Sequence, residues 1–374
     1  GGSAGTAVGY MAGYSPTGNY NVWLGHYAGY GAAASSAEQN VGIGRQALTN
    51  VTTANRNTAV GYQAGTNTST GVGNTYIGWT AGYGDSTGTY NTVMGYNAFT
   101  GSTSANENVA IGSQALRDNT AHYNTAVGTN ALYRNSTAAS NTAMGWRSMF
   151  ASTTAAQNVS LGASSLYTLT DGDNNVAIGY KAGYDMTTGT ENVLVGPEAG
   201  ENLVGGGYNV AIGSDALKTS TAAAYAIAIG KNAMSSGDVT AARHTIGIGY
   251  AALQNATSAG ESVMIGSYAG DAVTTGGDNT GIGHAALSIL VGGAGNTAVG
   301  REAMRDAGAS SNYNTGIGTG VFGYGGGTQL GNVGVGWGAG YYTTGNYNFF
   351  GGFKAGYGNI STNYEIQISG REDR

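Results

Sequence analysis

The stretch Asn108–Leu116 reads NVAIGSQAL, and nearly the same nine residues return at Asn209–Leu217 as NVAIGSDAL. Looser copies are NTAVGYQAG at Asn57–Gly65 and NTAVGREAM at Asn296–Met304. Aligned on the glycine after the second apolar residue, the sequence contains 21 copies, most often 17 residues apart and never fewer than 16 or more than 19. Self-similarity at a short fixed period is the signature of a repeat architecture. The chain is therefore predicted to be one small unit used many times.

Each position of the repeat has a physical meaning when it is counted from that glycine as position 0. Position −4 is asparagine in 17 of 21 copies, −3 is Thr, Val or Ile in 20, and −1 is Val, Ile, Leu or Met in 20. Apolar residues at i and i+2 are typical of a β-strand with both side chains on one face. We expect these two columns to fill the interior, so that Ile212→Asp costs several kcal/mol and Tyr62→Ala far less.

A unit this short cannot bury its own apolar face, but stacked copies can. Parallel strands stack at about 4.8 Å, and equivalent positions then form ladders along the stack. The glycine column marks a position that needs a positive φ or a close backbone approach. Position +3 is alanine in 18 copies, and +4 is glycine in nine and Leu, Met or Phe in twelve. The predicted ladder residues, taken from the two best copies, are Asn108, Val109, Ile111, Gly112, Asn209, Val210, Ile212 and Gly213.

The predicted fold is therefore all-β: a parallel β-solenoid, or β-roll, of about 21 stacked coils of about 17 residues. Residues 1–358 form the repeat domain. Residues 359–374 break the pattern, with an alternating stretch at Tyr364–Ile368 and four charged residues at Arg371–Arg374. We expect an irregular strand or cap there, or the start of a following domain.

Composition excludes several classes of protein. There are 69 glycines but only two prolines and no strict glycine-every-third-residue pattern, so collagen is excluded. The absence of cysteine excludes disulfide scaffolds and cysteine-ligated metals. The net charge of −6 provides no basic footprint for nucleic acid. No run of 18 apolar residues occurs, so no membrane insertion is expected.

The copies NVAIGSQAL at Asn108–Leu116 and NTAVGTNAL at Asn124–Leu132 resemble the head repeats of YadA-type trimeric autotransporter adhesins, which form a parallel β-roll. The forms GYQAG, GYKAG and GWTAGYG look more like the version of these repeats in bacteriophage tail fibre proteins. The resemblance extends from Thr6 to Gly356. It implies a homotrimer, intertwined or side by side, without a catalytic centre. The period near 17 is longer than the one expected in adhesin heads, and no stalk or membrane-anchor pattern is present.

From the resemblance we expect a non-enzymatic, extracellular fibrous protein without cofactors. The expected role is the shaft or receptor-binding region of a phage tail fibre, on the virion, contacting a host cell-surface polysaccharide or other receptor. One alternative is the head of a trimeric adhesin on a bacterial surface. Another is a subunit of a self-assembling extracellular filament. The flanking regions would distinguish fibre from adhesin, and the state of the ends would identify a filament.

Aromatic residues are the best candidates for ligand binding. Position +1 is predicted to point outward, where a large ring needs a partner: a neighbouring chain, the next coil, or a sugar ring. The negative net charge favours neutral over anionic glycans. The candidate glycan-binding residues at this position are Tyr10, Tyr62, Trp79, Tyr96, Trp146, Tyr180, Tyr250 and Trp337.

Other chemistry is weakly supported by the sequence. His26 and His284 share position +1 but have no ligand spacing, so no metal site is expected. The run Asp171–Asn175 has oxygen ligands suited to calcium but lacks an EF-hand pattern. Glu198 and Glu201 are a conceivable glycosidase pair that nothing singles out. Nine copies have threonine at −3, as in ice-binding solenoids, but Val and Ile replace it freely, which favours an interior column.

Overall fold

The computed structural model describes residues 5–15, 17–31, 35–239, 243–358 and 360–368. The chain falls into two compact units, residues 1–188 and 189–374, and each is a parallel β-solenoid. The described residues contain no α-helix. Each coil contributes one strand of three residues, followed by a tight turn and a return segment. The all-β solenoid prediction is confirmed.

The described part of the first unit contains eleven strands. They are β1 (Thr6–Val8), β2 (Val22–Leu24), β3 (Val41–Ile43), β4 (Thr58–Val60), β5 (Thr75–Ile77), β6 (Thr92–Met94), β7 (Val109–Ile111), β8 (Thr125–Val127), β9 (Thr142–Met144), β10 (Val159–Leu161) and β11 (Val176–Ile178).

Eleven strands also lie within the residues that the structure describes in the second unit. They are β12 (Val193–Val195), β13 (Val210–Ile212), β14 (Ile227–Ile229), β15 (Ile246–Ile248), β16 (Val263–Ile265), β17 (Thr280–Ile282), β18 (Thr297–Val299), β19 (Thr315–Ile317), β20 (Val333–Val335), β21 (Phe349–Gly351) and β22 (Ile366–Ile368). The alternating stretch near the end of the chain thus supplies β22, which pairs in parallel with β21. Arg371–Arg374 lies outside the described residues.

Within each unit, every strand pairs in parallel with the next, and equivalent repeat positions lie side by side. Ala110 of β7 faces Ala126 of β8, for example, and Ile111 faces Val127. The turns add further bonds between coils, such as the Leu116 N–H donating to the Ala131 carbonyl at 3.0 Å. The coils are therefore hydrogen-bonded on several sides, and the sequence columns become real ladders.

The glycine column satisfies both conditions that the sequence suggested. Gly112 has a φ of +131°, in a region that L side chains rarely adopt. A Cβ atom there would lie 2.6 Å from the carbonyl carbon of Gly128 in the next coil. Since real Cβ atoms do not approach a backbone that closely, glycine is required for stacking as well as for conformation.

The asparagine column is an interior hydrogen-bond ladder. The backbone N–H and the side-chain amide of Asn57 donate to Asn40 Oδ1 at 2.9 and 3.1 Å, and Asn57 Nδ2 also donates to the Gly71 carbonyl at 2.8 Å. Asn108 and Asn209 make the same pattern of bonds in their coils. Each amide satisfies groups from three coils, which explains the near-constant asparagine.

The prediction that the −3 and −1 columns fill the interior is wrong. Ala211, between them, is fully buried, whereas Ile212 is 38% exposed and Val210 is half-buried. Val109 and Ile111 are likewise half-buried around the buried Ala110. Positions −3, −1 and +1 have the same parity, so they share the outward face of the strand. We call these three columns the outward strand face.

The interior is narrow, and the side chains at positions −2 and +4 share the space inside it. Where position −2 is large, position +4 is glycine: a Cβ at Gly29 would lie 2.2 Å from the Trp23 ring, and one at Gly82 would lie 2.1 Å from the Tyr76 ring. Where position −2 is small, position +4 is large in most coils, as for Ala110 and the buried Leu116. Glycine at +4 also follows a small −2 residue in four coils, and at Gly13 and Gly65 a Cβ would meet a ring of the next coil, Trp23 at 2.6 Å and Tyr76 at 2.7 Å. Large side chains of the same or a neighbouring coil therefore account for most glycines at position +4.

Candidate ligand surface

The eight predicted ligand residues all lie at the end of the outward strand face. Tyr62 is half-buried and the other seven are exposed, Trp79 to 52%. They do not form one site, because they are distributed along both units. The densest group is Tyr62, Trp79 and Tyr96, on three consecutive coils. Their role in glycan binding remains a prediction.

Neighbouring groups in the same column occupy many of the ring faces. Tyr62 stacks on Trp79 with ring centroids 4.2 Å apart, and Trp337 stacks on Phe353 at 5.1 Å. The guanidinium carbon of Arg147 lies 4.5 Å from the centre of the Trp146 ring. Because adjacent side chains are close, one face of each of these rings is covered, whereas Tyr96 makes no ring or cation contact among the described residues. At the covered rings, a sugar would contact edges and hydroxyl groups more readily than the occupied faces.

A second aromatic array was not recognised as an array from the sequence. At position +5, Tyr133, Phe150, Tyr167 and Tyr184 stack on consecutive coils with centroid separations of 5.0, 5.2 and 5.0 Å, and their planes are within 8° of parallel. We call this array the ring ladder. The signal was available, since four successive copies have an aromatic residue at this position. It is diluted because most other copies have Thr, Ser, Gln, Gly or a charged residue there.

Arg117 packs against the first ring of the ring ladder. The Arg117 guanidinium carbon lies 3.9 Å from the centre of the Tyr133 ring, and Arg117 bonds both carboxylate oxygens of Asp118 at 2.7 Å. These hydrogen bonds raise the pKa of Arg117. The pair is therefore internally neutralised and leaves little charge for a ligand.

A buried carboxylate lies inside the first unit and was not singled out from the sequence. Asp85 Oδ2 accepts hydrogen bonds from the Tyr76 hydroxyl at 2.7 Å and from Asn91 Nδ2 at 3.0 Å, while Oδ1 accepts from the Gly88 N–H at 3.0 Å. Burial raises the pKa of Asp85 to about 6, although the three hydrogen bonds oppose the shift. Burial and the nearby carboxylate raise the pKa of Tyr76 well above its usual value. Both side chains are fully buried, so a substrate could not reach this carboxylate, and we do not treat it as a catalytic candidate.

The acidic residues considered for calcium or for glycosidase chemistry have other partners. Asp173 Oδ1 accepts from the Ala156 N–H at 2.7 Å, which ties one coil to the next. Glu198 and Glu201 both pair with Lys218, the second at 3.5 Å. The hydrogen bonds to Glu198 and Asp215 raise the pKa of Lys218. His26 stacks on Tyr10 at 5.3 Å. In the part of the chain that the structure describes, no three His, Asp or Glu side chains come together as a metal site.

The described ranges contain no helix with the length and apolar character that crossing a bilayer requires. Comparison with models of known protein families matched none of them, and comparison with curated proteins found none that is significantly similar.

Proposed function

We propose that the chain is a non-enzymatic, extracellular fibrous segment that assembles as a homotrimer and contacts host surface glycan, as the shaft or receptor-binding region of a phage tail fibre. The alternative is the head of a bacterial trimeric adhesin. The resemblance of the repeats to both groups supports these two roles. The solenoid fold is compatible with each of them.

The observation that carries the proposal is the exposed apolar surface on the outward strand face. Positions −3 and −1 contain no charged residue in any of the 21 copies. Exposed side chains at position −1 include Leu24, Met94, Ile212 and Val335. An uncharged apolar strip along a parallel sheet is uncommon on a surface that remains in water.

Further copies of this chain are the occupant that fits this strip best. A second copy presents the same columns at the same coil spacing, so aliphatic side chains from two or three chains can interdigitate repeatedly. Charged partners are disfavoured, because the strip offers them no counter-charge. The aromatic position +1 lies at the edge of the strip and is available to contact either a neighbouring chain or a glycan.

Light scattering on the purified chain tests the assembly. A mass near three times 37.4 kDa is expected. Replacing Ile77, Ile111 and Val127 together by lysine should convert the trimer to a folded monomer, because three charges would be buried between chains. A parent protein that is a clean monomer would overturn the homotrimer, and an open-ended mass distribution would favour the filament alternative.

A matched control places the same charges elsewhere. Thr53, Thr87 and Thr137 are exposed residues at position +9, on the return segment. Their combined replacement by lysine adds the same charge and should leave the mass unchanged. Circular dichroism of both triple variants must retain the parent spectrum for the comparison to hold.

A second candidate function follows from the corrected position of the threonine column. Thr58, Thr75 and Thr92 lie on three consecutive strands of the outward strand face, and their hydroxyl groups form no hydrogen bond among the described residues. Replacement by Val or Ile therefore does not argue for an interior column. A regular array of free hydroxyl and methyl groups could order water, as in ice-binding solenoids. Thermal hysteresis of a monomeric protein would favour this function over the fibre, and its absence would remove it.

A further inference from the structure

We propose that an arginine patch on the first unit binds the acid groups of an anionic polysaccharide. The patch consists of Arg134, Arg147, Trp146 and Phe150. The proposal rests on the glycan-contacting role proposed above and names the chemical class of glycan. It also replaces the expectation of a neutral glycan, which was drawn from net charge alone.

Aromatic rings hold the two arginines in place. The guanidinium carbons of Arg134 and Arg147 both lie 5.6 Å from the centre of the Phe150 ring, and Arg147 also lies 4.5 Å from the Trp146 ring. Arg147 makes a cation–π contact with Trp146, which orients its guanidinium group without neutralising its charge. Both guanidinium groups also lie near the Phe150 ring, whose faces are covered by Tyr133 and Tyr167.

Neither arginine has an anionic partner among the described residues, which distinguishes them from Arg117 and Lys218. Arg117 is bound to Asp118, and Lys218 to three carboxylates. The Nε of Arg147 is buried and has no hydrogen-bond partner within the described structure. A guanidinium group that is held but unpaired gains charge-assisted hydrogen bonds when an anion arrives.

The local charge is positive although the net charge is not. Residues 112–170 contain three arginines and a single carboxylate, Asp118, which Arg117 occupies. Asp171 and Asp173, in the next coil, accept hydrogen bonds from Thr154 and from the Ala156 N–H. Since screening reduces interactions beyond about 8 Å at physiological salt, the nearby charges decide what binds.

The covered rings favour a sugar acid over a nucleic acid. Single-stranded nucleic acids bind aromatic surfaces by stacking bases on ring faces. In the adjoining ring ladder each face is covered by the next ring at about 5 Å. The ladder edge still offers the hydroxyl groups of Tyr167 and Tyr184 to sugar hydroxyls. The guanidinium fork matches a planar carboxylate, such as that of a uronic acid.

The test measures binding of the full chain to polygalacturonate by calorimetry, with fully methyl-esterified polygalacturonate as a neutral polymer of the same backbone. The combined variant Arg134→Gln and Arg147→Gln is compared with Arg56→Gln, whose side chain is exposed and bonded to Gln39. We expect the parent and Arg56→Gln to bind the acidic polymer. The double variant should bind it with an affinity lower by a factor of about ten or more. The ester should bind weakly, and salt should reduce binding of the acidic polymer.

Equal binding of the acidic and esterified polymers, unchanged by the double variant, would overturn the anionic assignment but leave a glycan-contacting role in place. Binding of neither polymer would overturn the patch, and a separate screen of neutral host glycans then decides on the proposed function. Oligothymidylate that bound as tightly as polygalacturonate, with the same loss in the double variant, would show that the ligand class is wrong. Thermal melting of the double variant close to that of the parent excludes unfolding as the cause of a loss.

Discussion

Asp85 should make the stability of the first unit fall as pH rises, which is the reverse of the usual behaviour of a carboxylate in a protein. Its pKa is about 6 in the folded chain, against 3.8 for an unperturbed aspartate. Below about pH 4 the native and unfolded states both bind the proton. Between about pH 4 and 6 the unfolded chain loses it first, so the native state binds more protons and becomes less stable as pH increases.

The magnitude follows from the shift. The difference between a pKa of about 6 and one of 3.8 corresponds to roughly 3 kcal/mol of unfolding free energy. This stability is lost between about pH 4 and 6 and is not regained at higher pH. Asp85→Asn removes the charge. Its amide oxygen can still accept from the Gly88 N–H, while its amide nitrogen takes the place of Oδ2 and can donate to the Tyr76 hydroxyl. Asn91 Nδ2 loses its bond to residue 85 but keeps its bond to the Ala105 carbonyl at 2.7 Å. The variant should show little change from pH 4 to 8, and at pH 8 it should be more stable than the parent by up to about 3 kcal/mol.

Native-state hydrogen exchange is the appropriate assay, because stacked repeats need not unfold in one step. The amides of Tyr76, Gly88 and Asn91 should lose protection in the parent as pH rises, after correction for intrinsic exchange, and keep it in Asp85→Asn. Asp171→Asn, an exposed carboxylate in the same unit, is the control and should follow the parent. Parallel pH profiles in the parent and Asp85→Asn would refute the reasoning.

Three further predictions concern the stacking columns. Ala211→Asp should cost several kcal/mol because it buries an unpaired charge, whereas Ile212→Asp should cost clearly less in the monomeric chain; equal melting temperatures of the two variants would contradict the assignment of inside and outside. Gly82→Ala should destabilise the protein by more than 1 kcal/mol, since its Cβ would meet the Tyr76 ring at a φ of +64°, and denaturant unfolding that matched the parent would count against it. Ala226→Asn restores a missing member of the asparagine ladder and should add about 1 kcal/mol of stability, which thermal melting would measure and which a lower melting temperature would exclude.

The sequence was sufficient for the architecture because each coil repeats the same local constraints. The spacing of Gly112 from Gly128 and the near-constant asparagine predicted stacked parallel coils. The positive φ and close backbone approach at Gly112 confirmed the physical interpretation of that column. These features depend on the backbone, which every coil must share.

The inward and outward faces were assigned wrongly because hydrophobicity was taken as a sign of burial. In a solenoid this narrow, Ala211 fits inside and Ile212 does not. The usable signal was the pairing of positions −2 and +4, where Tyr76 accompanies Gly82. Volume complementarity between two columns identifies the interior more reliably than the polarity of one.

The ligand surface could be predicted only in part. Position +1 is at the surface, as expected, but strand alternation also places positions −3 and −1 on that face, and no feature of the sequence showed that Trp146 is covered by Arg147. Nor could composition show that Arg134 lacks a carboxylate, since pairing depends on which side chains the coil spacing brings together. Asp85 was missed because a single acid in a variable column carries no pattern.

Because the coils pair in parallel and in register, the chain can be lengthened or shortened by one complete coil at a time. Because Val109 lies beside Thr125 and Thr125 beside Thr142, a deletion that removes one complete coil joins equivalent backbone positions. Coils of 16 to 19 residues keep asparagine and glycine in their columns, so the return segment tolerates small changes in length, whereas a deletion between the asparagine and the glycine would move one of them out of its column. Genes for such chains can therefore lengthen or shorten their product by recombination between repeats, while the cross-section and the surface chemistry of each remaining coil are preserved.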